Sequence, residues 1–167
     1  MKKVAVLLSQ GFEECEALTT VDVLRRAGLT CDMVGVEAIE TTGSHGISVL
    51  ADRTLTEDMD DYDMVVLPGG LPGAEHLRDD ARVIALLRCF DAQGKFIAAI
   101  CAAPMALKAA GVTDGRAFTS YPVSYTHLDV YKRQALAGES FPRPYHPFTN
   151  RHAPEASSTK YCQSCGF

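Results

Sequence analysis

Cys101 ends the apolar run Phe96-Ile-Ala-Ala-Ile100 and precedes the small residues Ala102-Ala103-Pro104, so a strand, a thiol and a helix are expected in direct succession. A thiol so placed faces the unpaired N–H groups and positive dipole end of the helix, which lower its pKa and populate a nucleophilic thiolate. From the residues alone, a packed and inert thiol explains Cys101 about as well, since free cysteines are usually buried. Two other segments offer matching chemistry. Gly11-Phe-Glu-Glu-Cys-Glu16 supplies carboxyls, of which Glu16 is the candidate proton shuttle for the thiol. Pro68-Gly-Gly-Leu-Pro-Gly73 supplies Gly69 and Gly70, whose N–H groups can approach a ligand closely and, with that of Ala102, form an oxyanion hole. A plain tight turn is the alternative for these glycines, and complementing the helix dipole is the simplest role for Glu13 and Glu14.

These segments need a scaffold that brings them together. Val4–Leu8, Val65–Leu67 and Phe96–Ile100 are continuous apolar runs, the pattern of strands buried on both faces of a parallel sheet. Between them, Ala17, Leu18, Val21, Leu24 and Ala27 keep helical spacing over Glu14–Ala27, with Gly28 as the stop. Further helices are expected over Ala81–Ala92, ending at Gly94, and Ala102–Ala110, ending at Gly111. Thr30–Val36 reads as the second strand, and Thr41–Leu50 as a hairpin turning at Gly43-Ser-His-Gly46. The alternation predicts an α/β fold, a doubly wound parallel sheet with flanking helices whose ligands bind beyond the carboxyl ends of the strands. All three chemical segments lie at such ends.

Length and composition narrow the class. The 167 residues, 47% apolar, suit one domain with a core of its own, and no apolar stretch approaches the roughly 20 residues that span a bilayer. The Met-Lys-Lys start leads into too short an apolar run for a signal peptide, so a cytoplasmic location is expected. A net charge of −5 argues against nucleic acid. Of six cysteines, Cys15, Cys31, Cys89 and Cys101 fall in helix- or strand-like segments, which favours reduced thiols over a disulfide scaffold. The charge is uneven, −7 over residues 1–123 and +2 over 124–167, so the chain changes character near Val123.

Taken together, Gly11–Glu16, Val21-Asp-Val-Leu-Arg-Arg-Ala-Gly28, the Leu67-Pro-Gly-Gly70 turn and Ala99-Ile-Cys-Ala-Ala-Pro104 resemble the ThiJ/PfpI superfamily, specifically its DJ-1 branch, over residues 1–122. The resemblance implies a flavodoxin-like fold related to class I glutamine amidotransferases. It also implies that Cys101 is an oxidation-sensitive nucleophile, that Glu16 is its protonated partner, and that the Gly70 and Ala102 amides cradle an anion. Peptidase-like members carry His directly after the cysteine, where this chain has Ala102, which argues against a Cys-His peptidase. Some DJ-1 relatives have a Thr-His-Pro segment near the pocket; here it is Ser120-Tyr-Pro122, and Tyr121 is expected to line the pocket. His45 stands where several relatives have Arg near the dimer interface. That weakens the homodimer the resemblance implies, and an exposed turn residue is the simpler reading of His45.

After Pro122 the family's remaining strand, Gly-rich segment and closing helix are not recognisable, so residues 1–122 read as an incomplete domain truncated at its C-terminus. Residues 123–167 read as a non-family, artefactual tail, disordered because prolines 142, 144, 147 and 154 oppose regular structure. Its Cys162-Gln-Ser-Cys165 with His146 and His152 has unusual zinc-site spacing, and no metal and no other cofactor is expected. Three functions stay open. One is a cofactor-independent enzyme on small reactive aldehydes or glycation adducts, of glyoxalase III or deglycase type. The second is a redox-sensing stress or chaperone protein that uses oxidation of the same cysteine. The third is an inactive fragment.

Overall fold

The computed structural model describes residues 2–56, 58–116, 118 and 120. Its centre is β1 (Lys3–Leu8), where Val4-Ala-Val-Leu-Leu8 is wholly buried. β1 pairs in parallel with β2 (Thr30–Gly35) on one side, from Lys3 opposite Thr30 to Leu8 opposite Gly35, and with β6 (Met64–Leu67) on the other. β5 (Arg53–Thr54) and β7 (Phe96–Ala99) extend the sheet to the order β5-β2-β1-β6-β7. The switch in winding direction therefore falls at β1, between β2 and β6. The expected hairpin forms separately, with β3 (Glu40–Thr42) antiparallel to β4 (Ser48–Leu50).

Side chains alternate across a strand, so each strand feeds two cores. Ala5, Leu7, Val34, Val65 and Leu67 pack with Val83, Leu86, Leu87 and Phe90 of α3 (Ala81–Gln93) and with Ala106 and Ala110 of α4 (Pro104–Ala110). Val4, Val6, Leu8 and Val66 pack against Phe12 and against Ala17 and Val21 of α1 (Glu14–Arg26). A strand with apolar residues on both faces is what two helical layers require.

Three sequence readings are corrected. The strand Phe96–Ile100 is shorter, ends at Ala99, and is not buried on both faces: Phe96 is 67% and Ile100 50% exposed. Among the described residues β7 pairs with β6 alone, which leaves it at an edge. The helix expected from Ala102 begins at Pro104, because residues 101–103 form a turn and Pro suits the first helical position; Cys101 thus lies in a turn rather than in a helix or strand. The segment after Gly73 folds as α2 (Gly73–Asp79), not foreseen because Pro72 and two glycines mask its start. Asp80 ends α2 and caps α3, its carboxylate accepting from the Arg82 N–H at 2.8 Å. Among the described residues no helix is long and apolar enough to cross a membrane.

Candidate active site

Three turns meet beyond the carboxyl ends of β1, β6 and β7. The turn after β1 is bound to the turn after β6 twice, by the Glu13 N–H donating to the Gly69 carbonyl at 2.9 Å and the Gly73 N–H donating to the Gly11 carbonyl at 3.2 Å. The approach is too close for a side chain at position 70. Gly70 has φ +91°, and a Cβ there would lie 2.4 Å from the Glu13 nitrogen. The Ile100 N–H donates to the Leu67 carbonyl at 3.2 Å, which holds the turn after β7 beside the other two.

Cys101 is the one non-glycine residue with positive φ, +58°, among the described residues. Such backbone persists only where its surroundings enforce it, and it projects a side chain out of a sharp strand-to-helix turn. The enforcement is visible. Ala103 N–H donates back to the Ile100 carbonyl at 3.0 Å, and Ser120 Oγ donates to the Cys101 carbonyl at 3.0 Å.

Glu16 comes from the first turn of α1 and reaches across to the Gly69 N–H, which donates to its Oε2 at 2.7 Å. A Cβ built on Gly69 would lie 2.7 Å from both Cys101 Cβ and Glu16 Oε2, and 3.2 Å from the Ala102 nitrogen. Gly69 thus sits between the Cys101 Cβ and the Glu16 carboxylate, with no side chain of its own to separate them. Its own N–H is committed to Glu16, and the amides that favour a charged sulfur are those of Ala102 and Gly70.

The thiol pKa corrects the sequence expectation. Burial first, and then the Glu16 carboxylate, push Cys101 above the ordinary thiol value, against the pull of the Ala102 and Gly70 amides. The helix that was to lower it starts three residues later and has 7 residues.

Of the residues read from sequence, Cys101, Glu16, Gly69, Gly70 and Ala102 are brought together; Tyr121 lies outside the described residues, as does everything from 122 to 167. Cys15 is exposed on α1, and Cys31 and Cys89 are buried.

Glu14 does more than complement a dipole. The residue is 4% exposed, and its carboxylate accepts from the His45 N–H at 2.8 Å and the Ile47 N–H at 3.4 Å and bonds His45 Nδ1 at 2.9 Å. Burial alone would raise its pKa, but the His45 ring and these amides outweigh burial and bring it down to about 2. His45 is an exposed turn residue, as read, whose ring is pushed above its ordinary value by Glu14 and then Glu13. Its pairing was missed, although Glu14 shares with Ala17 and Val21 the helical stripe that faces the core. The ligand atoms of Glu13, Glu14 and His45 lie within 4.8 Å of one another, the one such group of potential metal ligands among the described residues. Glu14 already uses both oxygens on the hairpin loop, so the cluster acts as a clamp.

The model of the DJ-1/PfpI family matches residues 2–141. Protein dj-1beta of Drosophila melanogaster is 42% identical over 123 residues, covering 72% of this chain and 66% of that protein. Deglycase PH1704 of Pyrococcus horikoshii is 35% identical over 121 residues, covering 72% of each. The solved structure of oxidized Toxoplasma gondii DJ-1 superposes with a TM-score of 0.74 at 37% identity, covering 78% of this chain and 73% of that one. Crystalline Drosophila DJ-1beta gives 0.72 at 40% identity, covering 77% and 70%. The chain spans 66% and 57% of the two Drosophila relatives and about a third or less of the Arabidopsis thaliana DJ-1 homologues A and B.

Proposed function

Because the chain belongs to the DJ-1/PfpI family, we propose that it uses Cys101 and Glu16 as a thiol–carboxyl pair on small reactive aldehydes or early glycation adducts. The observation that carries this reading is the closeness at Gly69, which is flanked by the bonded Glu16 carboxylate and by the Cβ of Cys101 on its positive-φ backbone. The relative named a deglycase supports the substrate class.

The chemistry follows from the groups present. Cys101 passes its proton to Glu16, which removes the carboxylate's upward push on the thiol and leaves a carboxylic acid able to donate to the sulfur. Thiolate sulfur then attacks the aldehyde carbon of a 2-oxoaldehyde such as methylglyoxal. A C–S bond forms, the C=O π pair moves to oxygen, and the Ala102 and Gly70 amides stabilise that oxyanion before Glu16 protonates it to a hemithioacetal. Glu16, again a carboxylate, removes the proton from the former aldehyde carbon, the C–H pair forming an enediol, and returns it to the neighbouring carbon, while the hydroxyl proton on the first oxygen passes to the second. The product is a 2-hydroxy thioester, which water cleaves to a 2-hydroxy acid and free thiol. The sum is methylglyoxal plus water giving lactate, with no external oxidant.

The same pocket supports a second reading, favoured by the oxidized state of the Toxoplasma relative. Cys101 thiolate attacks a peroxide oxygen, the O–O bond breaks, and two such steps with two peroxides give a sulfinate, held by Glu16 and the same amides; a homodimeric stress or chaperone role would then follow oxidation. One experiment separates the readings. Methylglyoxal consumption is measured on the reduced chain and after stoichiometric peroxide. Activity that peroxide abolishes supports the enzyme. No consumption by folded chain with Cys101 reduced overturns it and leaves the sensor.

A further inference from the structure

The peptide group joining Cys101 to Ala102 is held at its carbonyl end. That carbonyl, on Cys101, accepts from Ser120 Oγ at 3.0 Å, while the N–H at the other end, on Ala102, favours the charged form of the Cys101 thiol. Ser120 comes from a different part of the chain, 19 residues on, and is partly buried. Two physical effects follow. A carbonyl that accepts a hydrogen bond polarises its whole peptide group, so the N–H at the far end becomes a better donor. The same bond fixes the peptide plane, which matters because Cys101 holds φ at +58° and relaxation toward an ordinary backbone would turn the Ala102 N–H away from sulfur.

We propose that Ser120 is a positioning residue of the thiol site: by holding the Cys101 carbonyl it aims and strengthens the Ala102 N–H that supports negative charge on sulfur. This rests on reading Cys101 as the reactive thiol, and it deepens that reading without depending on any aldehyde. Ser120 acts through the peptide, so its effect belongs to the sulfur's protonation and not to substrate contact. Glu16 acts on the sulfur through its ionisable side chain, and Gly70 and Ala102 act through backbone amides.

The test uses the full chain with Ser120→Ala, Ser120→Thr and Ser120→Val. Iodoacetamide alkylation of Cys101 is followed on its own peptide by mass spectrometry, so that Cys15, Cys162 and Cys165 do not contribute, across the thiol titration range. Ser120→Ala should slow alkylation near neutral pH about two- to fivefold and move the profile's midpoint up by about 0.3–0.7 pH unit, the loss of a tenth to a third of a charge-assisted hydrogen bond. Ser120→Thr, which keeps the hydroxyl, should restore the parent profile; Ser120→Val, of the same shape without the hydroxyl, should behave as Ala does. A parent-like profile in folded Ser120→Ala overturns the proposal. If Ser120→Ala fails to fold, matching profiles for Thr and Val overturn it and a Val profile displaced upward supports it. Because alkylation needs no turnover, failure here is distinct from failure of the aldehyde chemistry.

Discussion

At position 69 the site leaves no room for a methyl group. An added Cβ would lie 2.7 Å from Cys101 Cβ and from Glu16 Oε2, so one of the pair must move. Gly69→Ala is therefore expected to lower aldehyde turnover by about 100-fold, the cost of displacing a catalytic group by about an ångström. The fold should survive, because Gly69 keeps an ordinary φ and its carbonyl bond to Glu13. Steady-state rates beside far-UV circular dichroism check this; a parent-like rate would mean that thiol and carboxyl do not work together. Much of this pocket was legible in the sequence, since a lone Cys after an apolar run, a Gly-Gly turn and clustered Glu residues each sit at a strand end. The direction of the thiol pKa was not. It depends on burial and on a carboxylate 85 residues away in sequence, neither of which local pattern reveals.

The hairpin β3–β4 is tied to α1 through Glu14, whose buried carboxylate holds the amides of His45 and Ile47. Removing one negative charge while keeping the shape isolates that contribution. Glu14→Gln is expected to lower unfolding free energy by about 1–3 kcal/mol, because the hairpin amides lose a charged acceptor in a buried place. The pH dependence has a definite sign. A carboxylate whose pKa is lowered on folding, here to about 2, stabilises the fold above its unfolded value near 4.5 and loses that contribution as pH falls between the two. Urea midpoints of the parent should therefore decline over that window by more than those of Glu14→Gln; parallel curves would exclude the clamp. His45 adds an opposite limb: its raised value means that, while Glu14 stays ionised, the charged pair is complete below the ordinary histidine value of 6.5 and is lost as pH rises through the raised value. Elements were otherwise read well where period and punctuation agreed, as in α1 and α3. They were missed where a turn signal overlapped a helix start, as in α2, or where a strand is two residues long, as in β5.

Across the whole molecule, the parallel sheet places the loops after β1, β6 and β7 at one end, so that residues 16, 69–70 and 101–102 converge although the chain separates them widely. The alternating pattern predicted that convergence because the ends of parallel strands lie on the same side. It did not predict the exposure of Phe96 and Ile100, which follows from the edge place of β7 among the described residues rather than from its composition. The division of labour at that convergence is the central claim: Cys101 forms the bond and Glu16 moves the proton. The decisive measurement is lactate formation from methylglyoxal by the parent and by Glu16→Gln, with intact mass recorded on the same samples. The account predicts that the parent makes lactate, whereas folded Glu16→Gln retains a methylglyoxal adduct on Cys101 and makes lactate about 10²–10⁴-fold more slowly. Lactate formed by Glu16→Gln at the parent's rate would contradict it.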